Sequence, residues 1–204
     1  AAAAGGVTSL LCMPNTNPAI DSPEVVADLL DRAQQADARV YVAGCVTKNL
    51  KSKELGDLKA RREAGAVALS DDGRPVENTA LLAEAMCLAP QLGMKEVAHC
   101  EDLFLARGGR IHEGKISKKL GIPGIPAAAE DAGTAREIAL AAAYQVPIHI
   151  CHVSTATSAD LIRDAKRRGI QVTAETAPHY LLLTEEALEK QDADYRMNPP
   201  LRTE

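Results

Sequence analysis

No stretch of this chain approaches the ~20 consecutive apolar residues that a membrane-spanning helix needs, and residues 1–6 carry neither the basic start nor the apolar core of a secretory leader. A cytoplasmic protein with no membrane partner is the expectation. Excess positive charge is lacking too: 23 Lys and Arg stand against 28 Asp and Glu, a formal net charge of −5. Nucleic-acid binding needs a basic footprint that displaces phosphate counterions, so no nucleic-acid partner is expected. The cluster Lys115, Lys118, Lys119 reads as a solvated face. Cysteine is scarce and odd in number, with Cys12, Cys45, Cys87, Cys100 and Cys151 widely spaced and mostly inside apolar runs. That pattern argues against a disulfide framework and for reduced, buried thiols. Only Cys100, beside His99 at a predicted strand end, is placed for another role, such as a substitute metal ligand. A glycine-rich dinucleotide fingerprint is missing after the first strand, and there is no internal repeat, low-complexity segment or dividing linker.

What is present is ordinary globular composition, 46% hydrophobic and 25% charged over 204 residues, enough for one sizeable core. Strand-like and helix-like segments alternate throughout. Strands are predicted near residues 7–13, 39–46, 66–70, 95–99, 146–151 and 170–175. Ser22 is a natural N-cap and Pro23 suits the first helical position, after which Val25, Val26, Leu29, Leu30 and Ala33 recur at helical spacing. Further helices are predicted at 56–63, 77–92, 127–144 and 155–168, the last closed by Gly169. Single helices between strands imply right-handed βαβ units and a parallel sheet. Polar residues at the ends of several different strands favour a TIM-type (β/α) barrel over an open sheet with one switch point. Residues 108–126, rich in glycine and proline, read as a long loop over the site face, with His112 exposed to solvent.

Three apolar runs end in residues of the metal-binding type: Val67-Ala68-Leu69-Ser70-Asp71-Asp72, Glu96-Val97-Ala98-His99 and Ile148-His149-Ile150-Cys151-His152. Histidine and carboxylate ligands with an open coordination position are what a hydrolytic zinc site needs, because the metal lowers the pKa of bound water. Each residue alone has a bland reading, as a core histidine or an aspartate turn. Together Asp72, His99 and His152 point to one shared centre. Strand alternation separates His149 and Cys151 from Ile150 and His152, and His152, at the strand's end, is the chosen ligand, leaving His149 as a packing residue. His179 could be a further ligand or a structural hydrogen-bonding residue. Met13-Pro14-Asn15-Thr16-Asn17-Pro18 and Met197-Asn198-Pro199-Pro200 read either as proline-punctuated turns or as asparagines presented to a substrate.

Taken together, the strings Cys12-Met13-Pro14-Asn15-Thr16, Ser70-Asp71-Asp72-Gly73, Ala98-His99-Cys100-Glu101-Asp102, Cys151-His152-Val153-Ser154-Thr155, Glu175-Thr176-Ala177-Pro178-His179-Tyr180-Leu181 and Arg196-Met197-Asn198-Pro199-Pro200-Leu201-Arg202 resemble the dihydroorotase family of cyclic amidohydrolases. The resemblance is to the class in which an aspartate replaces a carbamylated lysine. It implies a metal-dependent TIM barrel that interconverts dihydroorotate and N-carbamoyl-aspartate in pyrimidine biosynthesis, with one or two zinc ions. By position it makes Asp72, His99 and His152 metal ligands, Asp72 being the bridge if two metals bind. It makes Asn15 the partner of the substrate carboxylate and Asn198 a ring contact. Asp71 is the weaker of the aspartate pair, because the family's spacing to His99 fits Asp72.

Two family elements have no match here: an early His-x-His with its arginine, and a later general acid/base aspartate, expected beyond Glu204. The chain therefore reads as residues 1–204 of the central portion of a single hydrolase barrel, with the first and last strands missing and no catalytic acid/base of its own. The rival readings are a hydantoinase or allantoinase and a non-catalytic dihydroorotase-like subunit supporting aspartate transcarbamoylase. A homodimer or a complex with that enzyme is the partner expectation.

Overall fold

The computed structural model describes every residue from Ala1 to Glu204. Its strands are β1 (Ser9–Cys12), β2 (Arg39–Cys45), β3 (Ala68–Ser70), β4 (Glu96–Ala98), β5 (Ile111–His112), β6 (Gly124–Ile125), β7 (Ile148–Ile150) and β8 (Val172–Ala174). Its helices are α1 (Pro23–Ala33), α2 (Leu58–Glu63), α3 (Thr79–Gln91), α4 (Leu103–Ala106), α5 (Lys115–Leu120), α6 (Ala127–Tyr144), α7 (Ala156–Arg167) and α8 (Pro178–Leu182). The chain divides into two compact units, Ala1–Ala98 and His99–Glu204.

In the first unit β1, β2, β3 and β4 pair in chain order, all parallel, with Ser9 opposite Arg39, Ala43 opposite Ala68 and Leu69 opposite Glu96. Parallel neighbours need a crossover, and α1, α2 and α3 supply the three. The local chemistry places them. Ser22 caps α1 by accepting from the Val25 N–H at 3.4 Å, and Asn78 caps α3 by accepting from Ala80 and Leu81 at 3.1 and 3.2 Å. The second half of β2 and all of β3 and β4 are buried, as strands covered on both faces must be. Arg61 on α2, only 1% exposed, donates to the carbonyls of Asp21 and Cys45 at 2.6 and 2.7 Å. Its buried charge thereby ties the chain before α1 to the end of β2.

In the second unit β7 and β8 are parallel, Ile148 facing Val172 and Ile150 facing Ala174, with α7 as their crossover. α6 has the bounds that periodicity predicts. Residues 108–126 depart from the expected irregular loop. β5 and β6 pair in parallel with α5 between them, and Ile111, Ile116 and Leu188 form a small core there. His112 lies on β5, half-buried rather than exposed. Two-residue strands are too short to show a period, so the sequence pattern could not announce them.

The consequence for the site is positional. Asn15 and Asp72 follow the C-terminal ends of β1 and β3, His99 immediately follows β4, and His152 follows β7.

Candidate metal centre

In the first unit Asn15 Nδ2 donates to Asp72 Oδ2 at 2.9 Å. The turn that allows this needs Gly73, whose φ is +73° and where a Cβ would come within 3.3 Å of Asn15 Nδ2. Asp71 has a different task. It is 3% exposed and accepts from the Val46 and Thr47 N–H groups at 2.7 and 3.2 Å, and from the Thr47 hydroxyl. Burial pushes its carboxyl up to about 6, against the opposing pull of the Thr47 and Val46 hydrogen bonds and the Arg61 charge. Asp71 thus fastens the end of β3 to the end of β2, while Asp72 turns toward Asn15.

In the second unit His99, 4% exposed, and His152 meet with Nδ1 and Nε2 at 3.0 Å, their rings near-perpendicular at 72°. Alternation along the strand does not set the direction of His152. β7 ends at Ile150, and His152 has a left-handed backbone, φ +37°, so the turn itself aims the ring. A non-glycine residue there is strained, a cost of about 1–3 kcal/mol that persists only where the surroundings over-determine it. His149 lies apart from this pair. Its Nδ1 is 2.9 Å from the Thr173 hydroxyl, and its Nε2 is 3.8 Å from Glu175. The His179 ring packs against Tyr180 at a tilt of 57°, ring centroids 4.1 Å apart.

Glu101, two residues after His99, is a part of the site that sequence reasoning passed over. Its Oε2 is 3.3 Å from His99 Nε2 and accepts from Asn198 Nδ2 at 3.4 Å. Burial alone would raise its carboxyl, but the His99, Asn198 and Arg202 interactions outweigh it and hold the group below the usual carboxylate range. A carboxylate on Nε2 fixes the tautomer that leaves the Nδ1 lone pair pointing at His152. Two imidazole nitrogens bound to one tetrahedral zinc at 2.0–2.1 Å lie roughly 3.3 Å apart. The observed 3.0 Å, the carboxylate behind one ring and the burial of His99 fit a divalent cation. A cleft of about 420 Å³ lies alongside, lined by Glu101, Arg110, Arg196, Met197 and Asn198 among others.

Cys100 does not turn toward this centre. It is 3% exposed and packs on α6, where Gly133 permits the approach: a Cβ there would come within 3.1 Å of Cys100 Cα and 2.8 Å of the Glu101 nitrogen. Burial, reinforced by the nearby Glu137, raises its thiol well above the ordinary value, with Thr134 as its hydrogen-bond partner. A thiol so placed is an inert core group.

The comparisons agree with this geometry. A model of the family described as Dihydro-orotase-like matches residues 1–158. Proteins named dihydroorotase from Citrifermentans bemidjiense and Pelotomaculum thermopropionicum are 47% and 48% identical over 203 residues, 99% and 100% of this chain and 48% of each relative. The chain thus spans about half the length of the curated relatives it matches. Among solved structures, L-hydantoinase from Arthrobacter aurescens is similar with a TM-score of 0.78 at 22% identity, over 99% of this chain and 46% of that one. A D-hydantoinase gives 0.75 at 26% identity over the same shares. The likeness shows the α/β, TIM-type barrel fold of the cyclic amidohydrolases, about half of which this chain covers. With its strand-end residues in that frame and its sequence matched along most of its length, the chain belongs to the dihydro-orotase-like family.

Proposed function

We propose that the protein containing this chain is a dihydroorotase, opening the ring amide of dihydroorotate to N-carbamoyl-aspartate and closing it in the biosynthetic direction. We assign Asp72, His99 and His152 as zinc ligands, with one or two ions, and Asn15 and Asn198 as the residues that hold the substrate. In a barrel of this family the site gathers at the C-terminal strand ends, where each of these residues lies in its own unit. The observation that carries the reading is the approach of His99 Nδ1 to His152 Nε2 with Glu101 behind the first ring. The names of the relatives supply the substrate. The buried thiols of Cys45, Cys100 and Cys151 suit a reducing cytoplasmic setting.

When bound, zinc would lower the pKa of water and polarise the amide carbonyl. The chain's own residues do the rest. Glu101 holds the His99 tautomer that presents a lone pair. Asn15 donates to the substrate carboxylate and Asn198 to the ring, so binding energy far from the reacting amide orients it. Asp71, held by Val46 and Thr47, keeps Asp72 at the strand end.

The test is an assay of the full-length protein on dihydroorotate and hydantoin, with zinc content measured beside it. We expect turnover of dihydroorotate in clear preference to hydantoin. Replacing His152 with alanine should weaken zinc binding by more than the 10- to 100-fold (about 1.4–2.7 kcal/mol) typical of an outer-shell partner. Equal turnover of both rings favours the hydantoinase reading that the solved structures bring to mind. No turnover of either by a zinc-loaded protein favours a non-catalytic subunit. Unchanged zinc affinity in His152→Ala removes that residue from the ligand set.

A further inference from the structure

Outside the histidine pair, the second unit's densest polar bonding converges on Glu130 and Arg202, to which the reading above gives no task. Glu130 sits on α6, 4% exposed. One of its oxygens accepts from the Ser154 and Thr155 N–H groups at 2.8 and 3.0 Å, and the other accepts from the Ser154 hydroxyl. These are the second and third residues after His152, so the carboxylate grips the far side of the strained turn. Val153 N–H is also fixed, to the Glu175 carbonyl at 2.9 Å.

Arg202 completes the arrangement from the other end of the unit. Its Nη2 is 3.3 Å from Glu130 Oε2, the two side chains being 10% and 6% exposed. Its Nε donates to Ser154 Oγ at 3.0 Å, and Nη1 lies 3.2 Å from both the Ile125 carbonyl and His112 Nδ1. Four residues earlier is Asn198, and the segment between is pinned by Tyr180, whose hydroxyl donates to the Pro199 carbonyl at 2.7 Å. Burying two charges gains little net stability over an apolar pair. What this pair supplies is geometry, because a planar fork with five donors can meet the Ser154 hydroxyl, the carboxylate and a carbonyl at once. A lysine offers a single centre and cannot.

We propose that Arg202, seated on Glu130, is a positioning residue that sets the His152 turn and the Asn198 segment in one register, so that metal affinity and ring binding depend on the same guanidinium. The proposal rests on the assignment of His152 as a zinc ligand and Asn198 as a ring contact. His112 neutral at Nδ1 is part of it. Burial, and then the Arg202 charge, lower that imidazole's pKa, and the unprotonated nitrogen accepts from the guanidinium.

The experiment compares full-length wild type with Arg202→Lys and with the double variant Glu130→Gln/Arg202→Gln. The double variant removes both buried charges and so folds even where a lone unpaired charge would not. Three quantities are read: zinc affinity by chelator competition, KM and kcat for dihydroorotate, and amide exchange of Ser154 and Thr155 in zinc-free protein. We expect zinc affinity to fall about 10- to 100-fold and KM to rise about tenfold together, as for an outer-shell partner of a metal site. Exchange at Ser154 and Thr155 should quicken by about tenfold or more as the turn opens locally. Folded variants whose zinc affinity and KM stay within about twofold of wild type overturn the proposal. A wild type that neither binds zinc nor opens dihydroorotate overturns the dihydroorotase reading instead. In that case the exchange rates alone decide the clamp, and unchanged protection in the variants sinks it.

Discussion

The ends of β3 and β7 each carry a proposed ligand, and the two are fixed by different means. At β3 the fastening is a single carboxylate, Asp71, which takes its donors from Val46 and Thr47 at the end of the adjacent β2. At β7 the fastening comes from Glu130, 24 residues upstream of Ser154, and from Arg202, 48 residues downstream of it. A strand end held by its sheet neighbour needs only a short local motif. One held from a helix and a distant segment needs three pieces of chain to agree.

That contrast breaks most visibly at Glu130. Glu130→Ala in the full-length protein should cost about 3–5 kcal/mol in urea unfolding, because Arg202 is left as a buried charge without its carboxylate. Asp71→Ala should cost less, about 1–3 kcal/mol by the same measurement, since it strands the Val46 and Thr47 donors but breaks no direct ion pair, Arg61 keeping its bonds to the Asp21 and Cys45 carbonyls. A larger loss at Asp71 than at Glu130 would reverse the comparison.

Smaller effects sharpen it. Asn15→Ala should raise KM for dihydroorotate by about tenfold, the equivalent of one lost hydrogen bond to a charged group, while zinc content stays unchanged. Loss of zinc together with binding would show that the Asn15–Asp72 contact, 2.9 Å long, serves the metal first. The smallest change belongs to His112. Its folded pKa lies below the ordinary value, so the fold favours the neutral ring, and stability is intact above the unfolded pKa of about 6.5 and falls as pH drops through it toward the folded value. His112→Gln should flatten that fall between about pH 7 and about pH 5, by under about 1 kcal/mol because the ring is only half-buried. An identical pH profile in the variant would show that His112 carries no part of it.

The same division explains what could be read from sequence. The parallel β-α alternation was visible because its signals are local, such as Ser22 and Pro23 opening α1, and α6 matching its predicted bounds at both ends. Asp72, His99 and His152 stood out because each ends an apolar run. Glu130 gave no such sign: nothing in Ala127-Ala128-Ala129-Glu130-Asp131 marks an acid as buried, and its partners lie 24 to 72 residues away. β5, α5 and β6 went unread because their strands are shorter than one period. The choice of His152 over His149 reached the residue that meets His99, but by alternation, whereas the positive φ of the turn is what aims it.

Glu130 and Arg202 are 72 residues apart, and Arg202 reaches Ser154 across 48. During synthesis, at about 5–20 residues per second, β7 and its turn emerge seconds before the guanidinium that secures them. The entropy of closing a loop of that length rises only slowly with its size, so the delay is one of order rather than of difficulty. Zinc arriving early would meet a histidine on an unfinished hinge. On the proposed ligand set, tight zinc capture would then come late in maturation, after Arg202 and the Asn198 segment have reached their places.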